Sequence, residues 1–466
     1  MEYALSVEEH KRLWQILNTH DSISQALQAI KDAGGLPFLV GGAVRNIILE
    51  IPVNDIDIEI HHLSLDDVQR VLGKFGYVDC VGKSFGVLRV HDIPIEWALP
   101  RRDQAGRKPM VLIDEHLPIE IALRRRDLTM NAMAINIFEN TLIDPFDGRR
   151  DIEQRTLRTP DPYFFVQDPL RFFRLMQFIA RFQMKPDNVL QNICTTIDIS
   201  ELSHERIDGE FRKLLLTAST PSLGFRWLAE LGRLSEILPE LAATQGVLQD
   251  MQWHPEGDVF EHTMQAIDAA VNLTYCDDNE REAVIYAALC HDLGKAIVTT
   301  IHEGKIRSIG HDEAGVNLAH ALIKRISTHK RLSKIVGILV RHHMAPGNFI
   351  KHHASSGAYK RLAYAVSPLV NLRMLSLLAT ADKRGRNPQR NTPLHDEIAE
   401  VKIFIDRATE YGVLLEPEPP VLMGDDLKEI VAPGKEMGEM LQHAYEIQIN
   451  KDIKDKQELI KRIKSR

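Results

Sequence analysis

The fold of this chain is decided by LVGGAVR at residues 39–45 and NDIDIEI at residues 54–60. In the second segment acidic residues alternate with isoleucines, which is typical of a β-strand with its carboxylates on one face. We therefore expect Asp55, Asp57 and Glu59 to share a strand face. Two such carboxylates, about 7 Å apart along a strand, suit a pair of Mg²⁺ ions about 4 Å apart.

The glycine pair before this strand adds a phosphate-binding feature. Gly41 and Gly42 carry no side chain, so their backbone N–H groups can approach phosphate oxygens closely. Arg45 follows within reach of a phosphate oxygen, with which a guanidinium pairs strongly. An isolated Asp-x-Asp or Gly-Gly is more often only a solvated strand or a turn. Their combination here favours attack of a hydroxyl group on a nucleoside triphosphate.

Length and composition limit the class of protein. The chain has 466 residues, of which 44% are hydrophobic and 26% charged, as in globular proteins with domains of ordinary size. It contains no apolar run near the roughly 18 residues of a membrane span, and its first residues lack a secretory hydrophobic core. The cysteines form no Cys-x-x-Cys pair, and we expect buried free thiols in a reducing cytoplasm. The net charge of −8 argues against a globally basic nucleic-acid binder but permits local basic patches.

The hydrophobic pattern changes along the chain. Short β-branched runs alternate with helical patterns up to about residue 150, and helical spacing dominates afterwards. The predicted segments are a helical extension at 1–35, an α+β head at 36–150, a helical neck and body at 151–250, a helical domain at 251–400 and a helical tail at 401–466. A proline-rich stretch at 416–420 predicts a linker, and the last residues predict a basic amphipathic helix, either solvated or in contact with RNA phosphates.

Arginines follow the strands of the head. The three at 124–126 run directly into an apolar segment, which predicts a position at the edge of the sheet. Farther along, Asp168 is expected at the N-cap and Pro169 at the first position of a helix. Arg171 and Arg174 then lie in its first turns. Aspartate offers acceptors and arginine offers donors, which together can read the edge of a base.

The helical half carries a second group of chemically active residues. A single His-Asp pair is weak evidence, but here histidine and aspartate recur along the predicted helices. The candidate metal ligands are His262, His291, Asp292, His311, His342, His343 and Asp382. Imidazole and carboxylate together suit a divalent transition metal or Mg²⁺ that activates water. The further pair His352-His353 is expected on the surface.

These motifs resemble a known family. LVGGAVR and NDID, with RRRDLTMNAMA at 124–134, IDPFDG at 143–148 and DPLRFFRLMQFIARF at 168–182, resemble the class II tRNA nucleotidyltransferases, or CCA-adding enzymes, and the related bacterial poly(A) polymerases. The order H…HD…H…HH…D resembles the HD phosphohydrolase superfamily. The resemblance implies an α+β fold, with a polymerase-β-like nucleotidyltransferase head followed by a mostly α-helical neck, body, HD domain and tail.

The resemblance also implies an activity. The chain would add CMP and AMP from CTP and ATP to the tRNA 3′ end without a nucleic-acid template, using Mg²⁺, as a cytoplasmic monomer or homodimer without membrane contact. The HD domain would be a 2′,3′-cyclic phosphodiesterase, 2′-nucleotidase and phosphatase that uses Ni²⁺, Mn²⁺ or Mg²⁺. Two alternatives stay open. One is a poly(A) polymerase or A-adding enzyme, and the other is an HD phosphohydrolase whose head only binds RNA.

Individual roles follow from the same resemblance. Asp55 and Asp57 are implied to hold the catalytic metals, with Glu96 as a candidate third carboxylate. The implied nucleotide-binding residues are Gly41, Gly42, Arg45, Arg126, Asp168, Arg171 and Arg174. Among these, Asp168 and Arg171 would read the Watson–Crick edge of the incoming nucleotide.

The chain departs from the family at two positions. Gln167 stands where the family usually has a glutamate, and we expect a weaker orientation of Arg171 because the amide lacks the charge. Gln177 stands where the family usually has an arginine, and the loss of a phosphate-pairing cation is expected to raise the nucleotide KM. Both departures keep the A-adding alternative open.

Overall fold

The computed structural model describes residues 2–80, 86–103, 111–389 and 392–464. The chain divides into two compact units, Met1–Leu202 and Ser203–Arg466. Among the described residues, every helix is too short or too polar to cross a membrane.

The first unit combines a mixed sheet with short helices. Its strands are β1 (Glu2–Ala4), β2 (Leu36–Val40), β3 (Ile56–His61), β4 (Val78–Cys80), β5 (Val87–Val90), β6 (Ile95–Ala98), β7 (Arg101–Asp103), β8 (Val111–Ile113), β9 (Ala134–Asn136), β10 (Thr141–Ile143), β11 (Thr156–Leu157) and β12 (Lys185–Pro186). Eight of them form one sheet in the order β1-β10-β9-β2-β3-β6-β5-β4. The pairs β7-β8 and β11-β12 are separate. The α+β head expected from the sequence is therefore confirmed.

The helices of this unit follow the predicted patterns. They are α1 (Val7–Leu17), α2 (Asp21–Asp32), α3 (Gly42–Ile48), α4 (Leu65–Leu72), α5 (Ile119–Arg124), a 3-10 turn (Thr129–Asn131), α6 (Gly148–Glu153), α7 (Pro162–Gln167), α8 (Leu170–Phe182) and α9 (Asn188–Thr196). The first of them begins with a capping box, in which Ser6 and Glu9 satisfy each other's backbone N–H groups.

Strand β3 is the centre of the sheet. It pairs antiparallel with β2 and parallel with β6, so both of its edges are hydrogen-bonded. Its isoleucines Ile58 and Ile60 are fully buried, and so is Trp97 of β6. Glu59, which was predicted to share a face with Asp55 and Asp57, is buried, so the acidic face of β3 is not uniformly solvated.

The second unit is almost entirely helical. Its helices are α10 (His204–Thr217), α11 (Ser222–Glu230), α12 (Leu234–Ile237), α13 (Pro239–Ala242), α14 (Val259–Val271), α15 (Asp278–Cys290), α16 (Lys295–Val298), α17 (His311–Ile326), α18 (Lys330–His342), α19 (Ala345–Lys351), α20 (Ser356–Val366), α21 (Leu372–Arg384), α22 (Ala399–Glu410), α23 (Gly424–Leu427), α24 (Lys435–Lys451) and α25 (Lys456–Lys464). One hairpin joins β13 (Thr300–His302) to β14 (Lys305–Arg307). Helix α15 contacts α14, α18 and α21, and its residues from 282 to 290 are all buried.

Three details differ from the sequence predictions. The short strands β11 to β14 lie beyond residue 151, where none was expected, because two- and three-residue strands leave no periodic pattern. Strand β1 lies within the segment 1–35 that was predicted to be helical, where it pairs with β10 of the head. All four cysteines are free, but only Cys194 and Cys290 are buried, while Cys276 is exposed.

Candidate active sites

The first site is built on the turn between β2 and α3. Gly41 has a φ of 73°, in the left-handed region that favours glycine. A Cβ atom at Gly41 would lie 2.7 Å from Arg126 Nη1 and 3.4 Å from Asp57 Oδ2. Backbone conformation and space therefore both require a glycine here, and the turn brings Arg126 and Asp57 together.

Carboxylates gather on the neighbouring strands. Because β3 and β6 run parallel, Asp57 pairs in register with Glu96, and the two side chains share a face. Asp55 lies just before β3 and not in it. The neighbouring strand β6 begins only after Pro94, and proline has no N–H group to extend the hydrogen bonding between the two strands back to Asp55. All three acids line a cavity of about 590 Å³.

The charges of these acids affect each other. Burial raises the pKa of Asp57, Arg126 opposes that shift, and Glu96 and Asp55 add to it. Asp55 and Glu96 thus place negative charge beside Asp57, which a divalent cation can neutralise. The residues therefore fit a site for Mg²⁺.

Glu59 lies behind this cavity. Its Oε1 is 3.0 Å from His61 Nε2, and its Oε2 is 3.8 Å from Arg125 and 4.0 Å from Arg126. Burial would raise the pKa of Glu59, but the hydrogen bond from His61 and the two arginines lower it. The buried carboxylate thus anchors the arginine that reaches Gly41, a role that the strand pattern did not reveal.

Arg45 is buried beside the glycine turn. Its Nη1 donates to Asn131 Oδ1 at 2.6 Å and its Nη2 to Asn46 Oδ1 at 2.8 Å. The guanidinium carbon lies 4.6 Å from the ring centre of Phe182, and burial lowers the pKa of Arg45 to about 10. A Cβ atom at Gly42 would lie 3.3 Å from Arg45 Nη2. Asn46 and Asn131 thus hold Arg45 beside the turn, while its contact with a phosphate stays a prediction.

The residues expected to read the base lie at the start of α8. Helix α7 continues to Gln167, so Asp168 falls in the junction and accepts from Leu170 N at 3.2 Å. Pro169 takes the N-cap position, one residue later than predicted. Arg171 Nη1 donates to the Phe164 carbonyl at 2.7 Å.

Asp127 is a site residue that the sequence reasoning missed. Its Oδ2 accepts from Arg174 Nε at 2.7 Å, and its Oδ1 accepts from Asn131 Nδ2 at 2.8 Å. Burial would raise the pKa of Asp127, but Arg174 and Asn131 hold it well below the ordinary value. An acid directly after the arginine run was the available signal.

The two glutamines that depart from the family occupy different environments. Gln167 is exposed. Gln177 is buried in α8, where its Oε1 accepts from Arg181 Nη1 at 3.1 Å. A cation therefore stays on this helix, one turn beyond the position where the family has its arginine.

The second site collects histidines and aspartates from five segments of the helical unit. His262 lies in α14, His291 and Asp292 follow α15, His311 begins α17, His343 follows α18, and Asp382 lies in α21. All six are buried. The fold therefore brings together residues that are up to 120 positions apart in the sequence.

The ligand atoms form two groups. In the first, His262 Nε2 lies 3.1 Å from Asp382 Oδ1 and 3.2 Å from His291 Nε2. In the second, His311 Nε2 lies 3.2 Å from His343 Nε2. The first group is completed by Asp382 and the second by Asp292. Within each group of three residues, the ligand atoms lie within 4.8 Å of one another.

Asp292 connects the two groups. Its Oδ2 lies 3.3 Å from His291 Nε2, and its Oδ1 lies 3.3 Å from His311 Nε2. Burial would raise the pKa of Asp292, but Lys295 and His291 hold it well below the ordinary value. An ionised carboxylate with one oxygen toward each group permits one bound cation or two.

His342 is the one predicted ligand that the structure leaves outside both described groups. It is half-buried at the end of α18, while the following His343 is buried among the ligands. Successive residues of a helix point about 100° apart, so only one of the two can face the cluster. His352 and His353 are exposed, as predicted.

Glu256 and His254 were missed by the sequence reasoning. Glu256 Oε1 lies 2.7 Å from His262 Nδ1 and 2.9 Å from His254 Nδ1. Burial would raise the pKa of Glu256, but hydrogen bonds from the two histidines lower it to about 2. A carboxylate behind Nδ1 orients the ring so that Nε2 faces the other ligands. The acid six residues before His262 was the available signal.

Comparison with known proteins finds matches to both units of the chain. The family model described as the Poly A polymerase head domain matches residues 37–158, and the HD domain model matches residues 259–373. The multifunctional CCA protein of Pasteurella multocida (strain Pm70) is 34% identical over 368 residues, covering 75% of this chain and 84% of the relative. That of Alkalilimnicola ehrlichii is 34% identical over 336 residues, covering 68% and 76%.

Solved structures share the fold. The Bacillus stearothermophilus CCA-adding enzyme in complex with CTP has a TM-score of 0.65 at 20% identity, covering 96% of this chain and 99% of the other. The Thermotoga maritima CCA-adding enzyme complexed with tRNA has a TM-score of 0.59 at 17% identity, covering 100% and 99%. With its Poly A polymerase head, its HD domain and these relatives, the chain belongs to the family of multifunctional CCA proteins.

Proposed function

We propose that this chain is a CCA-adding nucleotidyltransferase, which transfers CMP and AMP from CTP and ATP to the 3′ end of tRNA. The observation that carries the proposal is the turn at Gly41, where Asp57 and Arg126 meet and where Glu96 lies in register with Asp57. The names of the relatives and the likeness to structures of CCA-adding enzymes support it. We also expect a cytoplasmic protein.

Each group at this site has a task in the proposed reaction. Asp55, Asp57 and Glu96 supply the oxygen ligands that Mg²⁺ prefers, and the bound metal would activate the RNA 3′-hydroxyl and stabilise the leaving pyrophosphate. Arg126, which lies 4.0 Å from Glu59 and acts electrostatically on Asp57, would pair with the triphosphate. Residues at the start of α8, including Arg171, would read the base.

The deciding experiment offers the purified protein tRNA that ends at the discriminator base. A CCA-adding enzyme incorporates two C residues from CTP alone, and a terminal A only when CTP is also present. A poly(A) polymerase would instead extend the RNA with ATP alone and without a fixed length. If the head only binds RNA, neither nucleotide is incorporated, and the transferase proposal fails.

A second activity is favoured by the histidine cluster. We propose that the HD domain hydrolyses phosphate esters, with 2′,3′-cyclic nucleotides and 2′-nucleotides as substrates. Four buried histidines and two buried aspartates fit a divalent transition ion better than Mg²⁺, because imidazole dominates the ligand set. The bound metal would supply an activated water, and Lys295, 2.7 Å from Asp292, would help to hold the substrate phosphate nearby.

The test of the second activity combines metal analysis with kinetics. The metal content per chain is measured after titration with Ni²⁺, Mn²⁺ and Mg²⁺, and hydrolysis of 2′,3′-cyclic AMP is followed for each form. His311→Ala should lower the number of bound ions or their affinity and reduce hydrolysis at least about tenfold. A well-folded protein that binds no metal and hydrolyses none of these esters would refute the proposal.

A further inference from the structure

A tryptophan stands beside the histidine cluster with most of its ring in solvent. Trp253 is 61% exposed and lies directly before His254. Its turn is fixed, because the N–H groups of Trp253 and His254 both donate to the Asp250 carbonyl, at 3.0 and 2.9 Å. His254 is tied in turn to Glu256. An exposed indole on a fixed turn can act as a platform for a flat ring.

Two cavities adjoin the cluster, and Trp253 lines both. One of about 590 Å³ reaches His311, and another of about 500 Å³ reaches His343 and Asp382. Each lies within the range of about 300 to 1,000 Å³ that is usual for small-molecule sites. Together they offer room for more than one nucleotide next to the ligand cluster.

Two exposed cations line these cavities, alongside the acids Asp250, Asp312 and Glu400. Lys351 lines both cavities and Arg307 lines the first. Both side chains are exposed, and within the part of the chain that the structure describes neither has an ion-pair partner. Arg386, in contrast, donates to both carboxylate oxygens of Asp382, at 2.9 and 3.0 Å. Exposed cations near an aromatic platform are typical of sites for single-stranded nucleic acid.

We propose that this cleft binds the 3′ end of an RNA strand, with the terminal base stacked on Trp253 and the preceding phosphates on Arg307 and Lys351. The inference rests on the proposed hydrolase activity and adds a preference among its substrates, for an oligoribonucleotide end over a free mononucleotide. Stacking accepts every base, so little sequence preference is expected.

The first experiment compares 2′,3′-cyclic AMP with a trinucleotide that ends in a 2′,3′-cyclic phosphate, using the metal-loaded full chain. The wild type should have a kcat/KM for the trinucleotide at least about tenfold higher. Trp253→Ala should raise KM for the trinucleotide about tenfold with little change in kcat, and Trp253→Phe should restore most of the loss. Ile301→Ala is the matched control, because Ile301 is 62% exposed and lies outside the lining of both cavities.

The charge contribution is tested separately. Arg307→Ala should weaken the trinucleotide several-fold, reduce the salt dependence of its KM and leave 2′,3′-cyclic AMP unaffected. An equal loss for both substrates would contradict the assignment of Arg307 to a preceding phosphate.

Binding is also measured without hydrolysis, by fluorescence anisotropy of a labelled trinucleotide with an ordinary 3′-hydroxyl. The head is unchanged in Trp253→Ala, so the difference in affinity between wild type and this variant measures RNA binding by the cleft alone. Binding that depends on Trp253 in a protein that hydrolyses no phosphate ester would leave the RNA-end site standing and overturn the hydrolase. Hydrolysis with no effect of Trp253→Ala or Arg307→Ala, or an equal wild-type kcat/KM for the two substrates, would overturn the RNA-end site alone.

Discussion

At the scale of single residues, Glu59 shows how a buried carboxylate can serve a site that it does not enter. It lies 4.0 Å from Arg126 and 3.0 Å from His61. We expect Glu59→Gln to lower kcat/KM for nucleotide addition about tenfold, because the variant removes the buried negative charge that faces Arg125 and Arg126, and about 1.4 kcal/mol in the barrier is tenfold in rate. Steady-state kinetics with CTP and ATP check this, and the exposed Glu120→Gln serves as control. Unchanged kinetics in a folded Glu59→Gln variant would remove the anchoring role.

Asp57 is expected to be required for catalysis but not for the stability of the metal-free protein. Burial and neighbouring acids raise its pKa, so its ionised form at neutral pH is unfavourable in the metal-free fold. Asp57→Asn should therefore abolish nucleotide addition while Tm of the metal-free protein stays equal or rises. Incorporation assays and calorimetry on the same preparation measure both effects. Activity close to wild type would show that Asp57 does not hold the metal.

Glu256 has the corresponding role at the histidine cluster. Since it orients His262 through Nδ1, Glu256→Gln should lower the affinity for the divalent ion about 10-fold to 100-fold. Equilibrium dialysis with Ni²⁺ or Mn²⁺ measures the change, and Glu410→Gln on the exposed side of α22 is the control. Equal affinities in both variants would mean that the ring of His262 is held by packing alone.

At the scale of elements, a buried acid joins two helices of the second unit. Ser222, at the start of α11, donates its backbone N–H and its hydroxyl to Asp268 of α14, at 3.0 and 2.6 Å. Burial raises the pKa of Asp268 from 3.8 to about 7. The folded state therefore binds a proton that the unfolded chain has already lost, and stability falls as pH rises from about 4 to about 7.

The fall in stability with rising pH can be tested with a variant of Asp268. The wild type should lose Tm between pH 5 and pH 7.5 as Asp268 ionises. Asp268→Asn cannot ionise, so its Tm should fall less over the same range. Calorimetry at the two pH values compares it with wild type. An identical pH dependence in both proteins would place the pKa of Asp268 near its ordinary value.

Elements with a periodic hydrophobic pattern could be predicted from the sequence. The pairing of distant strands and the burial of single polar residues could not. The alternation at 54–60 predicted β3, and the start signal at Asp168-Pro169 predicted a helix at α8, within one residue of its observed N-cap. The alternation did not reveal that β6 would lie parallel to β3 and bring Glu96 beside Asp57, because pairing between distant strands leaves no local pattern. The burial of Glu59 and Arg45 was missed for the same reason, since both depend on what covers them.

At the scale of the whole molecule, the two proposed chemistries use different residues. The candidate groups of the head lie in Met1–Leu202, and those of the cluster lie in Ser203–Arg466. The combined change His291→Ala and Asp292→Ala should abolish metal-dependent hydrolysis of 2′,3′-cyclic nucleotides and leave nucleotide addition within about twofold. Asp57→Asn should give the reverse result. Loss of both activities together with a large fall in Tm would show instead that the histidines are structural.

The domain divisions at 35, 150, 250 and 400 stay predictions, although helices α1 and α2 do lie within the first segment. The clustering of His262, His291, Asp292, His311, His343 and Asp382 was expected because histidine and aspartate recur in a distinctive order along the chain, and their binding of a metal stays a prediction. Their division into two groups around Asp292 was not predictable, because it depends on the angles between the five helices that carry them.

The pairing of β1 with β10 has a consequence for synthesis on the ribosome. Residues Glu2, Tyr3 and Ala4 find their partners only at Ile143, Leu142 and Thr141. At rates of about 5 to 20 residues per second, on the order of ten seconds pass between the synthesis of β1 and the synthesis of its partner β10. During that time the backbone groups of β1 are open to other strands, and any tag fused ahead of Glu2 must leave it free to reach its place at the edge.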